Sequence, residues 1–163
     1  MTNRPTGTPR PIGAGMGENA KPLEIRALRP GYELRAADDG GMPTMFGHFA
    51  VFNRWTEINS VFEGHFLERV VPGAFRKTFK ENRDRIRALF QHGSDPQIGD
   101  KPLGTIEDLR EDETGGYYEV SLLDTAYNRD LLPGLEAGLY GASFRFQVKR
   151  LAADHPDGPG TLR

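Results

Sequence analysis

The chain contains no cysteine among its 163 residues. This absence excludes disulfide bonds, thiolate nucleophiles and cysteine-ligated zinc. No apolar run approaches the roughly 18 residues that a membrane-spanning helix needs. The N-terminus also lacks the apolar segment of a secretory signal, so we expect the protein to stay where it is made, with no membrane partner.

The chain also lacks a strong excess of either positive or negative charge. The formal net charge is −2, which provides no basic field for phosphate backbones, so nucleic acid is not an expected partner. No glycine-rich fingerprint precedes a helix, which disfavours a doubly wound nucleotide-binding fold. The hydrophobic content of 37% and the charged content of 27% are ordinary for a soluble globular domain.

The chain divides into a leader and one domain. Residues 1–22 are rich in proline and glycine and offer almost no apolar surface, which predicts a disordered leader whose removal costs little stability. Residues 23–163 are predicted to form a single folded domain.

Apolar and polar residues alternate through most of this domain, which predicts an α+β fold that is mainly β. The first three predicted strands read as a β-meander, residues 53–61 look irregular, and Pro133 suggests a kink or break in the second helix. We expect an antiparallel sheet or barrel with helices packed outside it. The predicted strands cover residues 23–28, 32–36, 45–52, 66–71, 86–91, 103–109, 117–123 and 143–151, and the helices cover 74–82 and 126–137.

Two stretches carry residues suited to catalysis. His92 follows a short apolar run and precedes the turn residues 93–96, which predicts a titratable side chain at the end of a strand. Ser143 follows a small-residue segment and opens a run of alternating aromatic and polar residues. A histidine near its ordinary pKa can activate a serine hydroxyl. The chain has four histidines and four serines, so residue types alone leave several pairs open.

A metal site is the competing interpretation of the histidine stretch. His92 and Asp95 lie three residues apart and could bind a divalent ion, with His65 or Asp100 completing the ligand set. The stretch lacks the helical histidine pair of common zinc sites, and its acids are equally explained as solvated turn residues.

Several segments, in order, resemble the HK97-type phage prohead proteases, a family of capsid maturation enzymes with an assemblin-like fold. The resemblance runs over most of the folded chain and preserves the order of the family's motifs. The segments that carry it are residues 47–53 (GHFAVFN), 68–75 (ERVVPGAF), 89–92 (LFQH) with 98–99 (IG), 109–115, 122–125 (LLDT) and 138–146 (GLYGASFRF).

The resemblance implies a serine endopeptidase without a cofactor, built as an assemblin-like antiparallel β-barrel with flanking helices. By the family pattern, His92 matches the base and Ser143 the nucleophile. The implied substrates are the major capsid protein with its scaffolding segment, and the protease itself, cut inside the immature capsid in the host cytoplasm. Assemblin-type proteases pair through a helix, so the resemblance also implies a homodimer.

The chain departs from the family pattern at two points. The family usually has an acid directly after the histidine, where this chain has Gly93. The third catalytic member is an acid on a strand beyond the nucleophile strand, and the chain ends at Arg163, so we expect a C-terminally truncated domain with an open barrel edge. Glu68, Asp95 and Glu119 stay open as substitutes.

Two alternatives to the protease hypothesis remain at this stage. One is a catalytically inactive structural or assembly module of a phage particle, and the other is a metal-dependent hydrolase. The protease hypothesis predicts that His92 and Ser143 lie on neighbouring strands with their side chains on one face.

Overall fold

A computed structural model describes residues 24–28, 31–61 and 64–146 of the chain. The fold is mainly β with two α-helices, as the sequence predicted. Its strand ladders are all antiparallel and form a four-stranded sheet and two two-stranded sheets. Within the described ranges, hydrogen bonding does not join these sheets into a closed barrel.

The four-stranded sheet is the centre of the domain. Its strand order is β2 (Glu33–Arg35), β3 (Thr44–Val51), β7 (Gly115–Leu122) and β6 (Gly104–Glu111). Strands β6 and β7 form an antiparallel hairpin, and they overlap the strands predicted over residues 103–109 and 117–123.

One face of this sheet is covered by helix α2 (Ala126–Glu136), which contributes Leu131 and Leu135 to the core. Thr125 caps the helix by accepting a hydrogen bond from the backbone N–H of Asn128. The rest of the buried hydrophobic cluster comes mainly from the sheet and consists of Met45, Leu103, Leu109, Tyr118, Val120 and Leu122.

The first and last described strands pair with each other. Strand β1 (Glu24–Leu28) lies antiparallel to β8 (Ala142–Phe146), with Ala27 opposite Ser143. The predicted opening meander is therefore wrong, because β1 belongs to a separate sheet from β2 and β3. A sequence-local pattern cannot reveal this pairing, since its partners lie at opposite ends of the described chain.

An aromatic cluster holds β8 against β3 and the first helix. The ring of Phe144 lies 5.5 Å from that of Phe49 on β3 and 5.4 Å from that of Phe75 (centroid distances). Phe75 stacks on Phe79 of helix α1 (Arg76–Asn82). Such edge-to-face and offset pairs each add about 1 kcal/mol beyond the area that they bury.

A carboxylate fixes the turn that leads into α1. Glu111, at the end of β6, accepts hydrogen bonds from the backbone N–H groups of Gly73 (2.8 Å) and Phe75 (2.7 Å). The segment therefore has its N–H groups paired with a charged acceptor, which ties α1 to the central sheet.

Three element predictions need correction. The segment predicted to be irregular, residues 53–61, contains strand β4 (Thr56–Ser60). Its partner β5 (Gly64–Glu68) begins and ends earlier than the strand predicted over residues 66–71. Residues 86–91 are not a strand, because Leu89 makes only an isolated bridge to Pro102, whose missing N–H cannot extend a ladder. Helix α2 continues through Pro133 without the predicted break. Pro133 lies on the exposed side of the helix, where water can solvate the carbonyl group that the missing proline N–H leaves without a donor.

Two predictions fall outside the described residues: the leader at residues 1–22 and the extension of the last strand from 147 to 151. In the part of the chain that the structure describes, no helix is long and apolar enough to cross a membrane.

Candidate active site

Ser143 lies on β8, and small residues set the position of this strand. A Cβ atom added to Gly31 would lie 2.4 Å from the Cβ of Ala142, and one added to Gly47 would lie 2.5 Å from the carbonyl oxygen of Gly31. Neither position has room for a side chain. The three backbone segments therefore stack closely, and the stack fixes the residue that precedes Ser143.

His92 lies in a tight turn, Phe90–Gly93, and not at the end of a strand. The φ angles of Gln91, His92 and Gly93 are 45°, 55° and 81°, so the backbone takes a left-handed path over three residues. Non-glycine residues rarely adopt this conformation, and such strained backbone is concentrated at functional sites. Gly93 suits the third position because it has no Cβ atom to strain, which gives a physical reason for the departure from the family's acid.

The loop after His92 is held by its own hydrogen bonds. The Oδ1 atom of Asp95 accepts from the backbone N–H groups of Gln97 (2.9 Å) and Ile98 (2.8 Å). The N–H of Gly99 donates to the carbonyl of Asp95 at 2.8 Å. Asp95 therefore stabilises the turn that carries the histidine, as Asp residues commonly do in loops.

An aromatic contact joins the histidine turn to the serine strand. The ring of Phe90 meets that of Tyr140 edge to face, with centroids 5.3 Å apart. Phe90 lies two residues before His92, and Tyr140 lies three residues before Ser143. Gly134 on α2 lets the Tyr140 ring approach, because a Cβ atom there would lie 2.7 Å from the ring.

These supports bring the two candidate side chains together. The Oγ atom of Ser143 lies 2.8 Å from the Nε2 atom of His92, across 51 residues of sequence. The prediction that the two side chains meet agrees with this contact, whereas the prediction that both residues lie on strands is wrong for His92. At this distance Nε2 can accept the hydroxyl proton, which is the geometry required for activation of a serine nucleophile.

The surroundings of His92 favour its neutral form. Partial burial lowers the pKa of the imidazole, and the positive charge of Arg145 lowers this pKa further. A neutral imidazole is the state that can act as a base. The sequence did not single out Arg145, although the period-two spacing from Ser143 places it on the same face of β8.

Comparison with known proteins identifies the chain's relatives. The sequence matches a family model described as the caudovirus prohead serine protease over residues 31–162. The chain belongs to this family. Neither a curated protein nor a solved structure gives a significant match.

Membership of the prohead serine proteases makes phage maturation the setting of the site. The family consists of serine peptidases of tailed phages, which implies capsid-related substrates in general and a location in the phage procapsid within the host cell. The recognition made from the ordered motifs of the sequence is thereby confirmed.

The orienting member of a protease triad is not found among residues 24–28, 31–61 and 64–146. Within these ranges, Ser143 Oγ is the sole hydrogen-bond partner of the His92 ring. Of the acids considered from the sequence, Asp95 bonds its own loop, and Glu119 bonds Arg35 (2.9 Å) and Tyr117 (2.6 Å). Glu68 lies on β5, in the two-stranded sheet that β5 forms with β4.

The described residues also provide no group of three or more histidine, aspartate or glutamate side chains that could hold a metal ion. The other two described histidines bond carboxylates elsewhere: His48 bonds Asp112 (2.8 Å) and His65 bonds Glu57. The structure therefore does not assemble the ligand set considered around His92 and Asp95 from the sequence.

Proposed function

We propose that the protein is a serine endopeptidase in which Ser143 is the nucleophile and His92 the general base. The 2.8 Å contact between Ser143 Oγ and His92 Nε2 is the observation that carries the proposal. Family membership supports it, because prohead proteases are serine peptidases. The proposed substrates are the scaffolding region of the major capsid protein and the protease itself, cut inside the immature capsid in the host cytoplasm.

The proposed reaction follows from this contact. As Oγ attacks the scissile carbonyl carbon, Nε2 takes the hydroxyl proton and a tetrahedral intermediate forms. The imidazolium then donates that proton to the leaving amine as the C–N bond breaks, which leaves an acyl-enzyme. A water molecule, deprotonated by His92, releases the acyl group and regenerates the serine. The lowered pKa of His92 suits both steps, since it keeps the base neutral and makes its conjugate acid a better proton donor.

The proposal also requires a partner for the Nδ1 atom of the His92 imidazole. A triad needs a group that orients the ring, and loss of that group costs on the order of 10⁴-fold in rate in well-studied enzymes. We assign this role to a residue outside the described ranges, in keeping with the family's acid on a later strand. The assemblin-like barrel with flanking helices, and a homodimer paired through a helix, belong to the same proposal by family resemblance.

Co-expression with the capsid protein of the same phage tests the proposed function. Wild-type protein and the control variant Ser121→Ala should both produce the shortened capsid protein, whereas Ser143→Ala and His92→Ala should leave it intact. Ser121 lies on β7 of the central sheet, so its replacement makes a matched serine-to-alanine change away from the contact.

Three outcomes separate the alternatives. Equal cleavage with Ser143→Ala would contradict the assignment of the nucleophile. Incorporation of the wild-type protein into particles without any cleavage would favour the inactive assembly module. Loss of cleavage on addition of a chelator would favour a metal-dependent hydrolase, because the proposed mechanism needs no metal ion.

A further inference from the structure

Arg145 shares a strand and a face with the proposed nucleophile. Side chains alternate across a β-strand, so Ser143 and Arg145 on β8 point to one side and Phe144 to the other. The rings of Phe144 and Phe146 stack at a centroid distance of 4.9 Å, and Phe144 packs in the aromatic cluster. The aromatic residues thereby hold the strand in an orientation that turns Arg145 outward, where it is exposed.

The charge of Arg145 has no partner in the part of the chain that the structure describes. Other arginines of the domain do have partners: Arg35 and Arg110 on the central sheet pair with Glu119 and Asp108. Arg129 on helix α2 pairs with Asp124. The Arg145 side chain makes neither an ion pair nor a hydrogen bond among the described residues, yet its charge lowers the pKa of His92. An unpaired guanidinium on the strand face that carries Ser143 can bind an anion without first losing an internal contact.

We propose that Arg145 is a specificity-determining residue that binds an acidic side chain of the substrate within two residues of the scissile bond. The inference rests on the proposed function, because it takes Ser143 as the point of attack. Two residues along a strand span roughly 6.6 Å, and an extended substrate beside β8 has the same spacing. A substrate side chain one or two positions from the scissile bond therefore reaches the guanidinium.

A carboxylate is the ligand that best fits this group. The planar guanidinium can donate two parallel N–H hydrogen bonds to both oxygens of a carboxylate, which an ammonium group cannot reproduce. Binding would also place a negative charge near the cation that acts on His92. An amide of the same size gains neither the charge attraction nor the paired acceptors, so Glu and Gln substrates should differ.

Matched peptides test the inference. Capsid-derived peptides carrying Glu or Gln at each position within two residues of the cut are compared by kcat/KM. Wild-type protein should prefer one Glu peptide by about tenfold, equivalent to about 1.4 kcal/mol. The preference should fall below about twofold in Arg145→Gln and be intermediate in Arg145→Lys. The control Arg54→Gln, an exposed arginine in the β3–β4 connection, should keep the full preference.

Binding of the same peptides to Ser143→Ala protein, followed by fluorescence anisotropy, gives a readout that does not require catalysis. The Glu peptide should bind more tightly, and adding Arg145→Gln to Ser143→Ala should remove the difference. A preference that survives in Arg145→Gln, or no preference in the wild type, would overturn the inference. So would an equal loss of rate for both peptides at a pH where the rate of each variant no longer depends on pH, because the cation would then act on the reaction itself.

These measurements separate the two proposals. Cleavage that depends on Ser143, with a preference that ignores Arg145, would refute the inference and leave the proposed function standing. Binding selectivity that depends on Arg145, without cleavage that depends on Ser143, would support the acidic-ligand site and refute the proposed function.

Discussion

Replacing Tyr140 by alanine should separate the histidine turn from the serine strand. The ring of Tyr140 contacts that of Phe90 at 5.3 Å, and no other aromatic contact in the described residues links the two segments. The ring is half-buried, so its loss exposes about 100 Å² of apolar surface, worth about 2.5 kcal/mol at 25 cal/mol per Å². The lost aromatic pair adds about 1 kcal/mol. The expected destabilisation is therefore about 3.5 kcal/mol.

The effect on catalysis should exceed the effect on global stability. The turn that carries His92 has strained backbone, so without Tyr140 it should relax and move Nε2 away from Ser143 Oγ. A displacement of about 1 Å can cost about 100-fold in rate. Urea unfolding measures the stability change, and peptide cleavage below the unfolding transition measures kcat and KM separately.

The conservative variant Tyr140→Phe is the control. It keeps the ring and should therefore retain both the stability and the rate. Tyr127→Ala removes another tyrosine, one that bonds the carbonyl of Pro102 from α2, and should alter stability without a comparable fall in kcat. A folded Tyr140→Ala protein with the kcat of the wild type would refute the reasoning.

Three further predictions concern the supports of the site and its protonation. Glu111→Ala should lower the free energy of unfolding in urea by about 3 kcal/mol, because two backbone N–H groups lose a charged acceptor. Glu111→Gln should lower it by about half as much, since one amide oxygen cannot accept from both N–H groups. Equal losses in the two variants would contradict this. Asn128→Asp should destabilise the fold by more than about 3 kcal/mol, because the Asn128 side chain is 1% exposed and donates hydrogen bonds to two backbone carbonyls. A loss below about 1 kcal/mol would contradict this role. The cleavage rate of the wild type should fall on acidification only below the ordinary histidine pKa, because burial and Arg145 lower the pKa of the His92 base. Arg145→Gln should move this fall to higher pH. A pH–rate profile of the variant with no shift, or with a shift to lower pH, would contradict this.

The sequence predicted those parts of the fold that local patterns determine. Helix α2 follows from the cap at Thr125 and the apolar spacing, and it ends before Gly138, whose φ of 67° suits a residue without a side chain. The β6–β7 hairpin follows from two alternating segments around a polar turn. Ser143 and His92 themselves could be named in advance, from their local settings and from the order of the family's motifs.

The parts that could not be predicted depend on contacts between distant residues or on unusual backbone. The pairing of β1 with β8 joins segments more than a hundred residues apart, and no alternation pattern encodes a partner. The left-handed turn at Gln91 and His92 is rare for residues with side chains, so propensity argued for a strand instead. The effect of Arg145 on the pKa of His92 depends on the tertiary fold, because the two residues lie 53 positions apart in the sequence.

Covalent labelling of the full chain tests the central claim most directly. A fluorophosphonate probe reacts with a serine hydroxyl whose proton is taken up by a nearby base. The account predicts one probe on the peptide that contains Ser143, located by mass spectrometry, and loss of this label in His92→Ala. It would be contradicted by a folded protein in which Ser143 stays unlabelled, or in which the label persists at full rate without His92.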